Sequence, residues 1–111
     1  MSSRGWQERV QDILDAVTEI NGFVDHLDLE SFQRDTKTIR AVEMNFIIIG
    51  EAAASIPDAI VDSHPEVPWH LMRGMRNRLV HGYFTVDEQI MWDTVKTDLP
   101  PLAEALRAIE D

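Results

Sequence analysis

Cysteine is absent from all 111 residues, which excludes a disulfide framework, a thiolate zinc site, an iron–sulfur cluster and cysteine nucleophile chemistry. A chain without thiols is compatible with a reducing cytoplasm, where it is expected to reside. Long apolar runs are missing too. The longest, Phe46-Ile47-Ile48-Ile49, falls far below the length that crosses a bilayer. The opening MSSRGWQERV is polar and has no apolar signal core, so an unexported protein is expected. Positive charge is scarce: ten Lys and Arg stand against twenty Asp and Glu, a formal net charge of -10. A field of that sign repels polyanions and anionic membranes from the molecule as a whole, so any contact with nucleic acid must be local.

What is present suits one domain over residues 1–111, of a size that buries roughly two thirds of its unfolded surface without staples. Val10, Ile13, Leu14, Val17, Ile20, Phe23 and Val24 recur at spacings of three and four and predict an amphipathic helix over residues 6–26. A second helix is predicted over 37–55, capped by Asp35 or Thr36 and ended before Pro57. Its apolar residues cover most of its circumference, which marks it as the central element. Residues 57–68, with three prolines, read as a helical turn and loop. Pro68 opens a third helix that runs to Val80 or His81 and stops at Gly82. A fourth begins near Val86 with Thr85 as its cap, and Pro100 and Pro101 interrupt or restart it. No period-2 alternation or internal repeat is evident. The expected architecture is an all-α, up-down bundle of four to five helices.

Residues 67–86 contain no Asp or Glu, although acids make up twenty of the 111 residues. The same window holds Arg73, Arg76, Arg78, His70 and His81. A cationic patch in an acidic protein invites an anionic ligand. The plainer alternative is that these arginines pair with carboxylates on neighbouring helices. His81, at an expected helix end, supplies a group able to move a proton near neutral pH. With Arg76 as a fixed cation for developing phosphorane charge and Asn77 as a neutral hydrogen-bonding partner, it makes up the parts for metal-free phosphodiester cleavage. In such chemistry the RNA 2′-hydroxyl is the nucleophile, and DNA is a poor substrate. A two-metal nuclease would need several carboxylates in this window. His64, Glu66 and His70 lie close in sequence, but prolines interrupt their spacing, and no metal site is expected. Trp6, Trp69 and Trp92 fall on or near apolar helix faces and are expected in the core or a subunit interface rather than as base-stacking platforms.

The segment Met75-Arg76-Asn77-Arg78-Leu79-Val80-His81-Gly82-Tyr83-Phe84 resembles the HepT-like toxins of the HEPN superfamily. Their signature is Arg, a polar residue, three further residues and His, extended in one branch by any residue and Tyr; Arg76 to Tyr83 matches every position. Arg40-Ala41-Val42-Glu43 and Ile49-Gly50-Glu51-Ala52-Ala53 are similar to the family's usual second-helix text. The resemblance implies a homodimeric, metal-independent endoribonuclease with no cofactor. It further implies a minimal nucleotidyltransferase antitoxin as partner, which transfers AMP to the tyrosine at position 83, the single tyrosine of the chain. A group of different class, a non-catalytic helical module that binds nucleotide or a nucleotidyltransferase, is the alternative.

On an ideal helix residues five apart lie roughly 140° from each other, so Arg76 and His81 would not share a face. Either the helix ends early enough to swing His81 round, or Arg76 reaches across, or two protomers build the site together; the first and last combined are preferred. His70, Arg73, Asn77 and His81 would line one polar stripe opposite Leu71, Met72, Met75 and Leu79. That makes His70, Arg73 and Arg78 candidate substrate-binding residues. In the second helix Arg40, Glu43 and Glu51 project within about 80° of one another. They are expected either to orient the motif residues as hydrogen-bonding supports or merely to form an ion pair within the helix.

Overall fold

The apolar spacing of the first helix is realised in α1, Trp6–Val24, whose Val10, Ile13, Leu14, Ala16, Val17, Ile20 and Val24 are buried. The structure is a computed structural model that describes residues 5–81 and 85–110, and of residues 76–81 and 85–86 the backbone alone. Helix α1 stops two residues short of the sequence expectation. His26 adopts a left-handed φ of 70°, a conformation that cannot continue a right-handed helix.

Residues 28–34, expected as a connecting segment, form a short helix, α2, Leu29–Gln33. Asp28 caps it by accepting from the Ser31 amide at 2.8 Å, and the Ser31 hydroxyl reciprocates at the Asp28 amide. Asp35 caps α3, Thr36–Ala54, by accepting from the Thr38 amide at 3.0 Å and from the Thr38 hydroxyl at 2.7 Å. In both caps the backbone N–H donor, followed by the hydroxyl, holds the aspartate below its usual carboxylate range, because the donors stabilise the ionised form. Helix α4, Asp58–Ser63, follows Pro57, and α5 spans Trp69–Leu79 after Pro68.

Two expectations fail beyond α5. The helix ends at Leu79, and Val80–His81 pairs antiparallel with Thr85–Val86 as a two-residue ladder, β1 with β2, in the register Val80 to Val86 and His81 to Thr85. Three of these four residues are β-branched and favour extended backbone. Thr85 is therefore a ladder residue. The cap of α6, Glu88–Asp93, is instead Asp87, which accepts from the Ile90 amide at 3.0 Å. Gly82, the expected stop, lies outside the described residues.

Pro100 and Pro101 fall in the first turn of a helix that restarts at Leu99, in line with the expected interruption or restart. Thr94–Asp98 form a π-helical segment that leads directly into α7, Leu99–Glu110. Each proline lacks an amide donor and its ring crowds the carbonyl four residues back. Those carbonyls, at 96 and 97, sit in the wider π turn, so the strain is absorbed where it arises.

Helix α3 is central, flanked by α1 and α5; α7 packs on α1, and α2 on α6. Phe32, Phe46, Ile49, Met72, Met75, Met91, Leu99, Leu102 and Leu106 are fully buried. The Phe32 and Trp92 rings lie 5.2 Å apart, and Lys96 Nζ stands 4.7 Å from the Trp92 ring. The all-α bundle of four main helices is as the sequence implies. Among the described residues no helix is long and apolar enough to cross a membrane.

Candidate functional site

The motif is carried on the exit of α5, and what fixes α5 is its contact with α3. Met72 and Met75, three positions apart, are both fully buried and set the rotation of α5 about its axis. Arg73 sets its height: Nε donates to the Ala53 carbonyl at 3.1 Å and Nη2 to the Ile56 carbonyl at 3.2 Å. Ala53 lies in the last turn of α3 and Ile56 two residues past its end, where the negative end of the helix dipole favours a cation. Two of the donors of Arg73 are thus committed to the scaffold. Its predicted substrate-binding place is, in the described geometry, a cap on the central helix that positions the motif behind it.

Replacing Arg73 by alanine is accordingly expected to lower stability by about 2 kcal/mol, from the two part-buried, charge-assisted bonds lost. Lysine should recover only part, since a single ammonium lacks the planar fork. Urea denaturation of the three proteins checks this.

His70 is exposed, on the outer side of α5 opposite Met72 and Met75, as the stripe requires. His81 leaves the stripe, since it belongs to β1. The 140° objection to pairing Arg76 with His81 applies to a continuous helix, and here the chain departs from helical geometry after Leu79. The helix thus ends before His81, as the first of the three alternatives expects. The side chains of Arg76, Asn77, Arg78, Leu79 and His81, and all of Tyr83, lie outside the described residues.

The charged strip expected on α3 is only partly buried. Arg40 Nη1 donates to Glu43 Oε1 at 2.9 Å, with the Arg40 side chain 56% exposed and that of Glu43 16%. Of the two readings of these residues, the intrahelical pair is the one seen for Arg40 and Glu43. Glu51 is exposed. The reason is tertiary: with α1 and α5 on two sides, a third stripe of α3 stays open, containing Lys37, Arg40, Met44, Ile48, Glu51 and Ser55. Met44 is 57% exposed and Ile48 38%, so the central helix is not apolar-covered all round.

Asn45, which periodicity alone does not single out, is buried and donates Nδ2 to the Ala41 carbonyl at 3.0 Å and to Glu19 Oε1 of α1 at 3.4 Å. A lone amide in an apolar run is its only signal in the sequence. It ties α3 to α1 by a directional, part-buried bond at the edge of the core.

The other chemistry-bearing clusters do not suit phosphate. His64 Nδ1 stands 3.5 Å from Glu66 Oε2, with the Trp6 ring 6.4 Å from the imidazole. Trp69 is buried and donates Nε1 to the His64 carbonyl; Trp6 and Trp92 are half-buried against the core, the packing role expected for all three. Among the described residues no three His, Asp or Glu side chains are grouped to hold a metal ion. A surface groove of about 260 Å³ between the start of α5 and α7 is flanked by Glu66 and Asp98 over Leu71, Pro101 and Leu102. Its carboxylates repel phosphate, which leaves the acid-free α5 exit as the candidate site for an anion.

An all-α bundle whose cationic fifth helix hands over to an Arg-Asn-x3-His-x-Tyr segment defines a class of helical nucleic-acid-processing proteins. The chain belongs to the ribonuclease HepT-like family, whose profile matches residues 13–109. It is 41% identical over 99 residues to a protein of Thermococcus cleftensis named "Probable ribonuclease HepT", covering 89% of this chain and 90% of that one. A protein of Methanocaldococcus jannaschii named as a "Putative RNase" is 33% identical over 103 residues, 89% of this chain and 85% of its own. Another so named, from Caldanaerobacter subterraneus, is 35% identical over 83 residues, 75% of this chain and 74% of its own. No solved structure matches.

Proposed function

We propose that this protein is a metal-independent endoribonuclease that acts as a homodimer and is the toxin of a toxin–antitoxin pair. The observation that carries the reading is the placement of Arg76-Asn77-x3-His81 where the chain turns from α5 into β1, in a window free of carboxylates. The 2′-hydroxyl of RNA attacks the adjacent phosphorus in line; the 5′-oxygen leaves, and a 2′,3′-cyclic phosphate forms. His81 takes or returns the proton, Arg76 steadies the charge that builds on the phosphoryl oxygens, and Asn77 orients them. His70 and Arg78 extend the cationic track along the RNA, and Arg73 acts mainly by holding α5 on α3. Glu43, paired with Arg40, and Glu51 are the carboxylates of α3 in the supporting role toward the motif donors.

The second copy is proposed to cover the open stripe of α3. Met44 and Ile48 expose apolar surface there, and Lys37, Arg40 and Glu51 offer both signs of charge, so the patch is complementary to itself across a twofold. Two protomers also double the local positive charge and offset the acidic remainder. Regulation is proposed at Tyr83, two residues beyond His81. AMP transferred there by a partner nucleotidyltransferase puts a bulky anion beside the motif, where it competes with the substrate phosphate and neutralises the arginines.

The purified chain, assayed on RNA in excess chelator, is expected to cut it and to leave cyclic phosphate ends. After co-expression with the nucleotidyltransferase it should carry one or more AMP masses and no longer cut; the Tyr83→Phe protein should carry none. Intact RNA under all conditions, with nucleotide or the transferase bound instead, supports the non-catalytic module.

A further inference from the structure

Gly74 sits in the middle of α5, Trp69–Leu79, where glycine is the least favourable residue after proline. The fold supplies no reason for it. A Cβ built at this position meets nothing within 4 Å, and its φ lies outside the left-handed range. Neither tight packing nor backbone conformation within the described chain requires the missing side chain. On the helix Gly74 falls on the side away from the buried Met72 and Met75, four positions after the exposed His70 and three and four before Asn77 and Arg78. A bare stretch of helix thus lies on the outer face one turn ahead of the motif.

We infer that Gly74 is a contact position for the RNA backbone: the absent side chain lets the sugar–phosphate chain lie close against α5 on its way to Arg76 and His81. The inference rests on the ribonuclease reading above and adds a residue to it. The electrostatics of the face select the occupant. Residues 67–86 carry no acid but include His70, Arg73, Arg76 and Arg78, a surface that attracts a polyanion. A methyl group at 74 holds the strand away by on the order of 1 Å, a displacement that costs up to about 100-fold once reacting groups are misaligned.

Gly22 provides a matched control. It too is helical and open, with nothing within 4 Å of a built Cβ, but it lies near the end of α1, outside the cationic window. Four proteins are compared, wild type, Gly74→Ala, Gly74→Ser and Gly22→Ala. The readouts are melting temperature, sedimentation, cleavage of RNA, and binding of a 2′-O-methylated RNA that cannot be cut. Gly74→Ala should melt about 3 to 6 °C higher, as helix propensity dictates, sediment as wild type, and bind and cleave RNA at least tenfold less well. Gly74→Ser should share the RNA defect, and Gly22→Ala should match wild type on RNA. The inference is overturned if either Gly74 variant handles RNA like wild type, or if the loss follows a change in sedimentation, which would place a second copy on this face. Wild-type protein that neither binds nor cuts RNA overturns the ribonuclease reading itself and the inference with it.

Discussion

Alanine at position 81 is expected to lower RNA cleavage by about 10²- to 10⁴-fold, the range a positioned general acid or base contributes. Folding should be almost untouched. The main chain of residue 81 pairs with Thr85 in the short ladder, and alanine keeps that pairing. The melting temperature and sedimentation of His81→Ala should therefore follow wild type while the cleavage rate collapses. A pH–rate profile adds a second check. Imidazole is the side chain whose ordinary titration falls near neutrality, so the wild-type rate should break there and the residual rate of the variant should not. Equal cleavage by the two proteins would remove His81 from the chemistry.

A loss of about 3 to 5 kcal/mol is expected from Phe46→Ala. With Phe32, Phe46 is among the largest fully buried side chains of the described residues, and it lies on α3, the helix that both α1 and α5 pack against. Truncation removes the transfer free energy of the ring and leaves a cavity that helices held from two sides cannot close. In a domain of this size the melting temperature should fall by on the order of 15 to 25 °C. Ile48→Ala, two residues on in the same helix, is the internal comparison. Ile48 is 38% exposed on the open stripe, and its truncation should change stability by about 0.5 kcal/mol or less at protein concentrations too low for association. Comparable losses for the two variants would mean that the stripe is not open in solution.

Much of the fold is legible in the chain alone. The three-and-four spacing from Val10 to Val24 has no other economical solution than a one-sided helix, and α1 buries all the predicted positions but Phe23. Asp35 announces the start of α3 because a short acceptor side chain before an apolar run satisfies an otherwise open amide. Other boundaries are harder. Thr85 and Asp87 are equally good caps in isolation; pairing of residue 85 with His81 decides between them. Pro100 and Pro101 signal an interruption or restart but not its form, which is a π-helical segment, Thr94–Asp98, ahead of a new α-helix from Leu99. Short helices such as α2 are stabilised by packing and caps more than by periodicity, so five residues carry too little signal.

The candidate site divides along the same line. The absence of acids over residues 67–86, the motif spacing and the single tyrosine are properties of the chain itself, and they are sufficient to point to anionic substrates and to a family. The engagement of Arg73 with α3, the pairing of Arg40 with Glu43, the exposure of Met44 and Ile48, and the empty surroundings of Gly74 depend on which helix faces which. Local periodicity says that a face is apolar; it does not say how many neighbours arrive to cover it, because that number is set by loop lengths and by the packing of helices distant in sequence. Composition and spacing determined what chemistry this protein carries, and the tertiary arrangement decided which of its charged and apolar groups are used to hold the bundle together and which remain for a ligand.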